Sequence, residues 1–181
     1  MSLQKCLFVV IAVAFTWPCL AGHESDSVIA LKTRNAEDCI QAAAKKVLHG
    51  IALNDLAGSA GSPEDRKNLS IQTATVQAEL RVAATNLDKA IQDLRIAVRS
   101  GSEDARYYAH LQAVERYAHL CTSSAALWRD ALKFRNSIAK DLLSSRMKAD
   151  DLCSAAKENA LEAVRCGVII PVEHRLNVES Q

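Results

Sequence analysis

Three side chains that could bind a metal lie close together in the sequence, His110, Glu115 and His119. Metal sites in helical bundles use Glu-x-x-His pairs on facing helices. Glu115 and His119 are instead four residues apart, and no second set occurs. The sequence also lacks the H-E-x-x-H, G-x-S-x-G and glycine-rich phosphate-loop patterns. We therefore expect solvated helix residues here, with no metal, no cofactor and no enzymatic activity.

Cysteines are the next residues that could do chemistry. Six occur in the chain, and two of them, Cys6 and Cys19, fall in a leader-like segment. An even number in an exported protein predicts disulfides, and no CxxC pair supports a zinc site. We expect two disulfides, for which three connectivities exist, among Cys39, Cys121, Cys153 and Cys166.

The N-terminal segment predicts export. Lys5 supplies a positive charge, residues 6–15 form an apolar run, and residues 19–21 place small residues before a cleavage site. We predict a signal peptide over residues 1–21 and a secreted or cell-surface mature protein, because the run is too short for a transmembrane helix. The sequon that begins at Asn68 is an N-glycosylation signal for such a protein.

All three tyrosines fall within eleven residues, close to histidine and arginine. Tyrosine and arginine are favoured in binding hot spots. Two interpretations stay open: a partner-binding face on one flank of a helix, or surface residues around a packed Tyr107. The candidate face consists of Tyr108, His110, Arg116 and Tyr117.

The elements that must position these residues are helices. The chain is 49% hydrophobic and has only 6 glycines and 3 prolines, a composition that favours helix over strand. Along two segments the core-type residues step alternately by four and three, which is typical of coiled coils and long bundles. The first stripe is Leu69, Thr73, Val76, Leu80, Ala83, Leu87, Ala90, Leu94 and Ala97. The second is Tyr107, Leu111, Val114, Ala118, Cys121, Ala125, Trp128 and Leu132.

Capping signals divide the chain into helices. The expected ranges are about 26–57, 63–99 with Ser62 as N-cap, 103–146 with a weak point at 122–124, and 150–167 with Gly167 as C-cap. Short connections make sequential helices antiparallel, so the two stripes predict a hairpin of the second and third helices. The expected fold is an all-α, elongated antiparallel bundle of three to four helices over residues 22–167, followed by a polar tail over 168–181.

The rise per residue of a helix allows the possible disulfide pairings to be ranked. An advance of about 1.5 Å per residue places Cys39 and Cys121 at the same level, about 18 Å along the bundle. Cys153 and Cys166 would lie about 20 Å apart in one continuous helix, too far for a bridge. Pairing Cys39 with Cys166 requires a break near Ser123. The geometry favours Cys39–Cys121.

The net charge of the chain limits the kinds of partner that it could bind. Removing Lys5 with the leader reduces 22 basic residues to 21, which balance 21 acidic ones. A neutral chain with interspersed charges lacks the basic footprint of nucleic-acid or anionic-membrane binding. We expect a protein partner, a host macromolecule or self-association through helix seams, with no nucleic acid and no integral membrane segment in the mature chain.

An exported, Ala-rich helical hairpin with scattered cysteines and the late run AAKENALEA at 155–163 resembles the ectodomains of trypanosome variant and invariant surface glycoproteins. The resemblance covers residues 24–166 as a pattern. It implies a non-enzymatic glycoprotein for coat formation, immune shielding or uptake of a host macromolecule. The C-terminus shows neither their anchor signal nor their separate cysteine-rich domain.

Two alternatives remain open at this point. The first is an exported helical enzyme inhibitor, similar to plant invertase and pectin methylesterase inhibitors. Those proteins place two cysteines close together near the mature N-terminus, whereas Cys39 stands alone there. The second is a secreted carrier that holds a small apolar ligand between its helices.

Overall fold

The computed structural model describes the backbone of residues 3–101, 105–135 and 142–167, and within these ranges the side chains from residue 26 onward except that of Leu142. The described backbone forms four α-helices, α1 (Leu3–Ser59), α2 (Pro63–Gly101), α3 (Ala105–Arg135) and α4 (Leu142–Val164), followed by a 3₁₀ turn, Arg165–Gly167. The all-α prediction is confirmed for these residues. The predicted tail lies outside them.

Helix α2 begins where the capping signals predict. The Ser62 hydroxyl accepts a hydrogen bond from the Asp65 amide at 3.0 Å and donates one to the Asp65 carboxylate at 2.7 Å. This bond satisfies the Asp65 amide, and Pro63 at the first helical position has no amide hydrogen that needs a partner. Helix α1 shows no boundary near residue 26, because it continues back to Leu3. The predicted signal peptide therefore stays a prediction.

Both predicted stripes face the core. Val76, Leu80, Leu87 and Leu94 of the first stripe are buried, and so are Leu111, Val114, Ala118, Cys121 and Trp128 of the second. Among the residues whose side chains are described, no helix is long and apolar enough to cross a membrane.

Contrary to the prediction, the two stripes do not pair chiefly with each other, whereas the expectation that sequential helices are neighbours is confirmed for α1/α2 and α3/α4. Helix α2 packs chiefly against α1 and only slightly against α3, while α3 packs chiefly against α4. The reason is the breadth of the apolar surface on α1, which buries Ala36, Ile40, Ala43, Ala44, Val47 and Ile51 and contacts all three other helices. The bundle is therefore two hairpins, α1/α2 and α3/α4, that meet along α1.

Ion pairs define the register of the α1/α2 hairpin. Lys32 Nζ lies 2.9 Å from Asp93 Oδ2, and Lys46 contacts Glu79. Moving fourteen residues forward on α1 moves the partner fourteen residues backward on α2, so the two helices are antiparallel.

Of the expected helix 103–146, residues 136–141 lie outside the described residues, and the described part of α3 extends to Arg135. The Arg135 guanidinium donates a hydrogen bond to Asp150 Oδ1 at 2.8 Å and another to the carbonyl oxygen of Asn54 at 3.4 Å, which ties this part of α3 to α4 and α1. Helix α4 starts at Leu142 and buries Ala149 completely. Its small-residue stripe thus begins one step before Cys153, and this additional burial favours the earlier start.

The four cysteines are free thiols, so the two predicted disulfides and the Cys39–Cys121 pairing are wrong for this structure. The predicted level along the bundle is right, since Cys121 Sγ donates a hydrogen bond to the Ile40 carbonyl at 3.7 Å. The direction is wrong. Neighbouring residues of a helix point about 100° apart, and Cys39 faces the groove beside α2. The weak point at 122–124 remains helical, so the break required for Cys39–Cys166 is not found.

Candidate functional site

The three candidate metal ligands have other partners or point into solvent. Arg95 Nε donates to Glu115 at 2.5 Å, His110 Nε2 lies 3.8 Å from Glu37 Oε1, and His119 is exposed. Over the described part of the chain, no group of three or more His, Cys, Asp or Glu residues is arranged to hold a metal ion.

The four residues of the predicted partner-binding face lie in two different environments. His110 and Tyr117 lie beside the core, and Tyr117 packs against it. Tyr108 is 39% exposed and Arg116 is also exposed, so this pair lies on the solvent side of α3. The seven-residue spacing of His110 and Tyr117 correctly placed them on one flank. That flank, however, is largely covered by α1, where Glu37 approaches His110.

The thiols are poor nucleophiles. Burial raises the pKa of Cys121 from 9.0 to about 11. Burial, followed by the nearby Glu37 carboxylate and Cys121, raises the pKa of Cys166 to about 12. Since the thiolate is the reactive form, both thiols are protonated and inert at neutral pH and pack as small apolar groups.

A buried aromatic residue joins the two hairpins. Trp128 of α3 is buried against Gly50 of α1, where an added Cβ would overlap the six-membered ring of the indole. Among the described residues, its indole Nε1 finds no hydrogen-bond partner. Nearby on α3, the buried Ser124 hydroxyl donates to the Ala156 carbonyl of α4 at 2.5 Å. These contacts fix α3 between α1 and α4.

An open groove of about 320 Å³ runs between α1 and α2. Its lining residues are Cys39, Ala42, Lys46, Glu79, Val82, Ala83 and Asn86. A second depression continues it toward Asp93 and shares Cys39 and Asn86. The small side chains on its floor and the ion pairs Lys32–Asp93 and Lys46–Glu79 along it make a shallow, electrically balanced surface.

Sequence reasoning missed this groove. The signal for it was available on α1, where Asn35, Cys39, Ala42 and Lys46 step by four, three and four beside the core stripe. The short connection predicted α1 and α2 as antiparallel neighbours, but spacing alone does not give the side of α1 on which α2 lies.

Asn68, the predicted glycosylation site, is exposed in the second turn of α2. No protein-family model, curated protein or solved structure matches the chain. The likeness to trypanosome surface glycoproteins therefore stays a prediction from the sequence pattern.

Proposed function

We propose that the protein is an exported, non-enzymatic helical-bundle glycoprotein of a cell surface, which forms a coat or binds a host macromolecule. The observation that carries the proposal is where the described structure places the side chains that could bind a metal or act as nucleophiles. Its buried thiols pack in the core, and its candidate metal ligands do not converge. A leader-like N-terminus and an exposed sequon support export.

Within this proposal, recognition belongs to the solvent side of α3, where Tyr108 and Arg116 project from a rigid helix. Tyrosine and arginine supply large contact areas and directional hydrogen bonds, which is why binding hot spots favour them. The inhibitor alternative is less well supported because the plant inhibitors place two cysteines close together near the mature N-terminus, where this chain has Cys39 alone. The carrier alternative loses support because the α1–α2 groove is shallow and open.

Expression of the full chain with its own leader in eukaryotic secretory cells tests the proposal. We expect the protein in the medium or on the surface of intact cells, with a mobility shift after glycosidase treatment. The matched controls are residues 22–181 without the leader, which should stay inside the cell, and Asn68→Gln, which should be exported without the shift. Retention of the full chain in the cytosol would contradict the proposal.

Binding is tested with the exported protein and whole host serum, read as a change in elution volume on size exclusion. Tyr108→Ser combined with Arg116→Ser should reduce the change, whereas Lys157→Ser on α4 should leave it unaltered. An equal loss with both variants would place recognition elsewhere on the protein.

A further inference from the structure

Helix α2 carries a second stripe on its exposed side, beside the α1–α2 groove that Val82 also lines. Like the core stripe, it steps by four and three, and each of its members is exposed. Its three largest apolar side chains are exposed: Ile71 by 56%, Val82 by 62% and Ile96 by 65%. This outer stripe consists of Ile71, Thr75, Ala78, Val82, Thr85, Lys89, Gln92 and Ile96. Four of its eight members, Ile71, Ala78, Val82 and Ile96, are apolar, and a stripe with this spacing can pair with another helix.

The outer stripe fits a second copy of itself turned end over end. Val82 is the middle residue of α2, and Ile71 and Ile96 are placed almost symmetrically about it. An antiparallel pair of α2 helices with its two-fold axis between Val82 and Thr85 sets Ile71 against Ile96 of the second copy. The same register sets Val82 against Thr85 of the second copy. A two-fold interface requires this self-complementarity.

Charges beside the stripe agree with the same register. Arg81 and Asp88 lie on one flank, seven residues apart, and neither forms an ion pair within the described part of the chain. The antiparallel arrangement brings Arg81 next to Asp88 of the second copy, twice by symmetry. On the other flank, Glu79 and Asp93 are already neutralised by lysines of α1.

A parallel pairing of the same stripe is unfavourable. It would place Lys89 against Lys89 of the second copy, inside the contact. It would also bring Asp88 next to Asp93 of the second copy. Like charges in contact oppose association, so charge selects the antiparallel orientation.

We propose that the outer stripe of α2 is an antiparallel homodimer interface, formed with the same stripe of a second copy of this chain. The stripe is about 38 Å long, and a helix is about 10–12 Å wide. The footprint is roughly 400 Å² per partner, or about 800 Å² in total, which is below the ~1,200 Å² of stable specific interfaces and is typical of a weak, transient contact. The dimer is therefore reversible and forms at high local concentration. This inference does not depend on the proposed function.

Sedimentation equilibrium of the full chain from 5 to about 300 μM tests the interface. We expect a monomer–dimer equilibrium, and we expect Val82→Glu to weaken it at least tenfold, because it sets carboxylates at the centre of the contact. Leu161→Glu, which changes an exposed apolar residue of α4 in the same way, is the matched control and should leave dimerisation intact.

Charge reversal tests the orientation. Arg81→Asp and Asp88→Arg should each weaken the homodimer several-fold, because each creates two like-charge contacts. An equimolar mixture of the two variants should associate again, because every contact in the mixed dimer joins opposite charges. A monomeric wild type at 300 μM, an unchanged dimer in Val82→Glu, or a mixture no more associated than its components would overturn the proposal.

Discussion

The core residues of the two hairpins have similar spacing, but they make different helix–helix contacts. In α1/α2 the α2 side of the contact is made by large side chains such as Leu80, Leu87 and Leu94, and an open groove runs along its edge. In α3/α4 the α4 side of the contact is small, with Ala156, Ala160 and other small residues fully buried.

Because α3 and α4 lie close together, their packing depends on hydrogen bonds and on the fit between their side chains. The Ser124 hydroxyl reaches a backbone carbonyl of α4 directly, which requires the two helices to lie near each other. In α1/α2 the polar contacts are ion pairs between long side chains near the surface. The difference indicates that α3/α4 is specified by fit, whereas α1/α2 is specified by apolar area and tolerates change at its edges.

The largest expected effect comes from the junction of the hairpins at Trp128. Trp128→Ala should lower the free energy of unfolding by about 3–5 kcal/mol, because it leaves a cavity beneath Gly50. Gly50→Ala should cost about 1–3 kcal/mol, because the new Cβ overlaps a ring that has no room to move. Urea denaturation followed by circular dichroism measures both changes.

Two matched variants sharpen this result. A Cβ at Gly58, in the same helix, meets nothing within 4 Å, so Gly58→Ala should be neutral or stabilising by up to about 1 kcal/mol. Trp128→Phe keeps an aromatic ring and removes the unpartnered indole N–H, so it should cost less than Trp128→Ala. Equal losses from Gly50→Ala and Gly58→Ala would show that the fit at Trp128 is loose.

Alkaline pH should destabilise the side of the bundle that contains Cys121 and Cys166. Both thiols have folded-state pKa values above the unfolded value of 9.0, so the folded state binds protons more tightly than the unfolded state. Their stabilisation is complete below pH 9 and is lost as the pH rises toward 11 and 12. The loss is about 2 kcal/mol per thiol over two pH units.

Urea titrations at pH 8, 9, 10 and 11 measure this dependence. The variant Cys121→Ala with Cys166→Ala should show a flatter pH profile, even though its stability at pH 7 is lower. Cys39→Ala should retain most of the dependence, because the Cys39 thiol lies half-buried in the α1–α2 groove. An unchanged slope in the double variant would assign the alkaline transition to other groups.

The positions of the helices could largely be predicted, because their signals are local. Ser62 and Pro63 define the start of α2, and the stripe through Leu87 identifies its buried face. Short connections predicted α1/α2 and α3/α4 as neighbours, but they did not predict that α2 packs chiefly against α1 and only slightly against α3. Leu87 has a similar spacing pattern whether it packs on α1 or on α3, and the choice depends on the breadth of the apolar surface of α1.

The state of the thiols and the α1–α2 groove could not be predicted for the same reason. Helix rise predicted Cys121 at the level of Cys39, and its thiol contacts the neighbouring Ile40, but the sequence gives no angle between non-adjacent helices. The contacts of Arg135 with both Asn54 and Asp150 likewise exist only after the bundle forms. Features that depend on relative helix orientation were therefore outside the reach of sequence spacing.

The smallest expected effect comes from the Lys32–Asp93 ion pair, which tests whether the α1/α2 hairpin tolerates change at its edge. The two side chains are each about one-third exposed, so water and salt screen their attraction. A double-mutant cycle with Lys32→Ala and Asp93→Ala should give a coupling free energy below about 1 kcal/mol, and lower at 1 M salt. A coupling above about 2 kcal/mol that persists in salt would mean that the pair is effectively buried. The contrast between the hairpins would then disappear, because α1/α2 would be specified by polar fit as strictly as α3/α4.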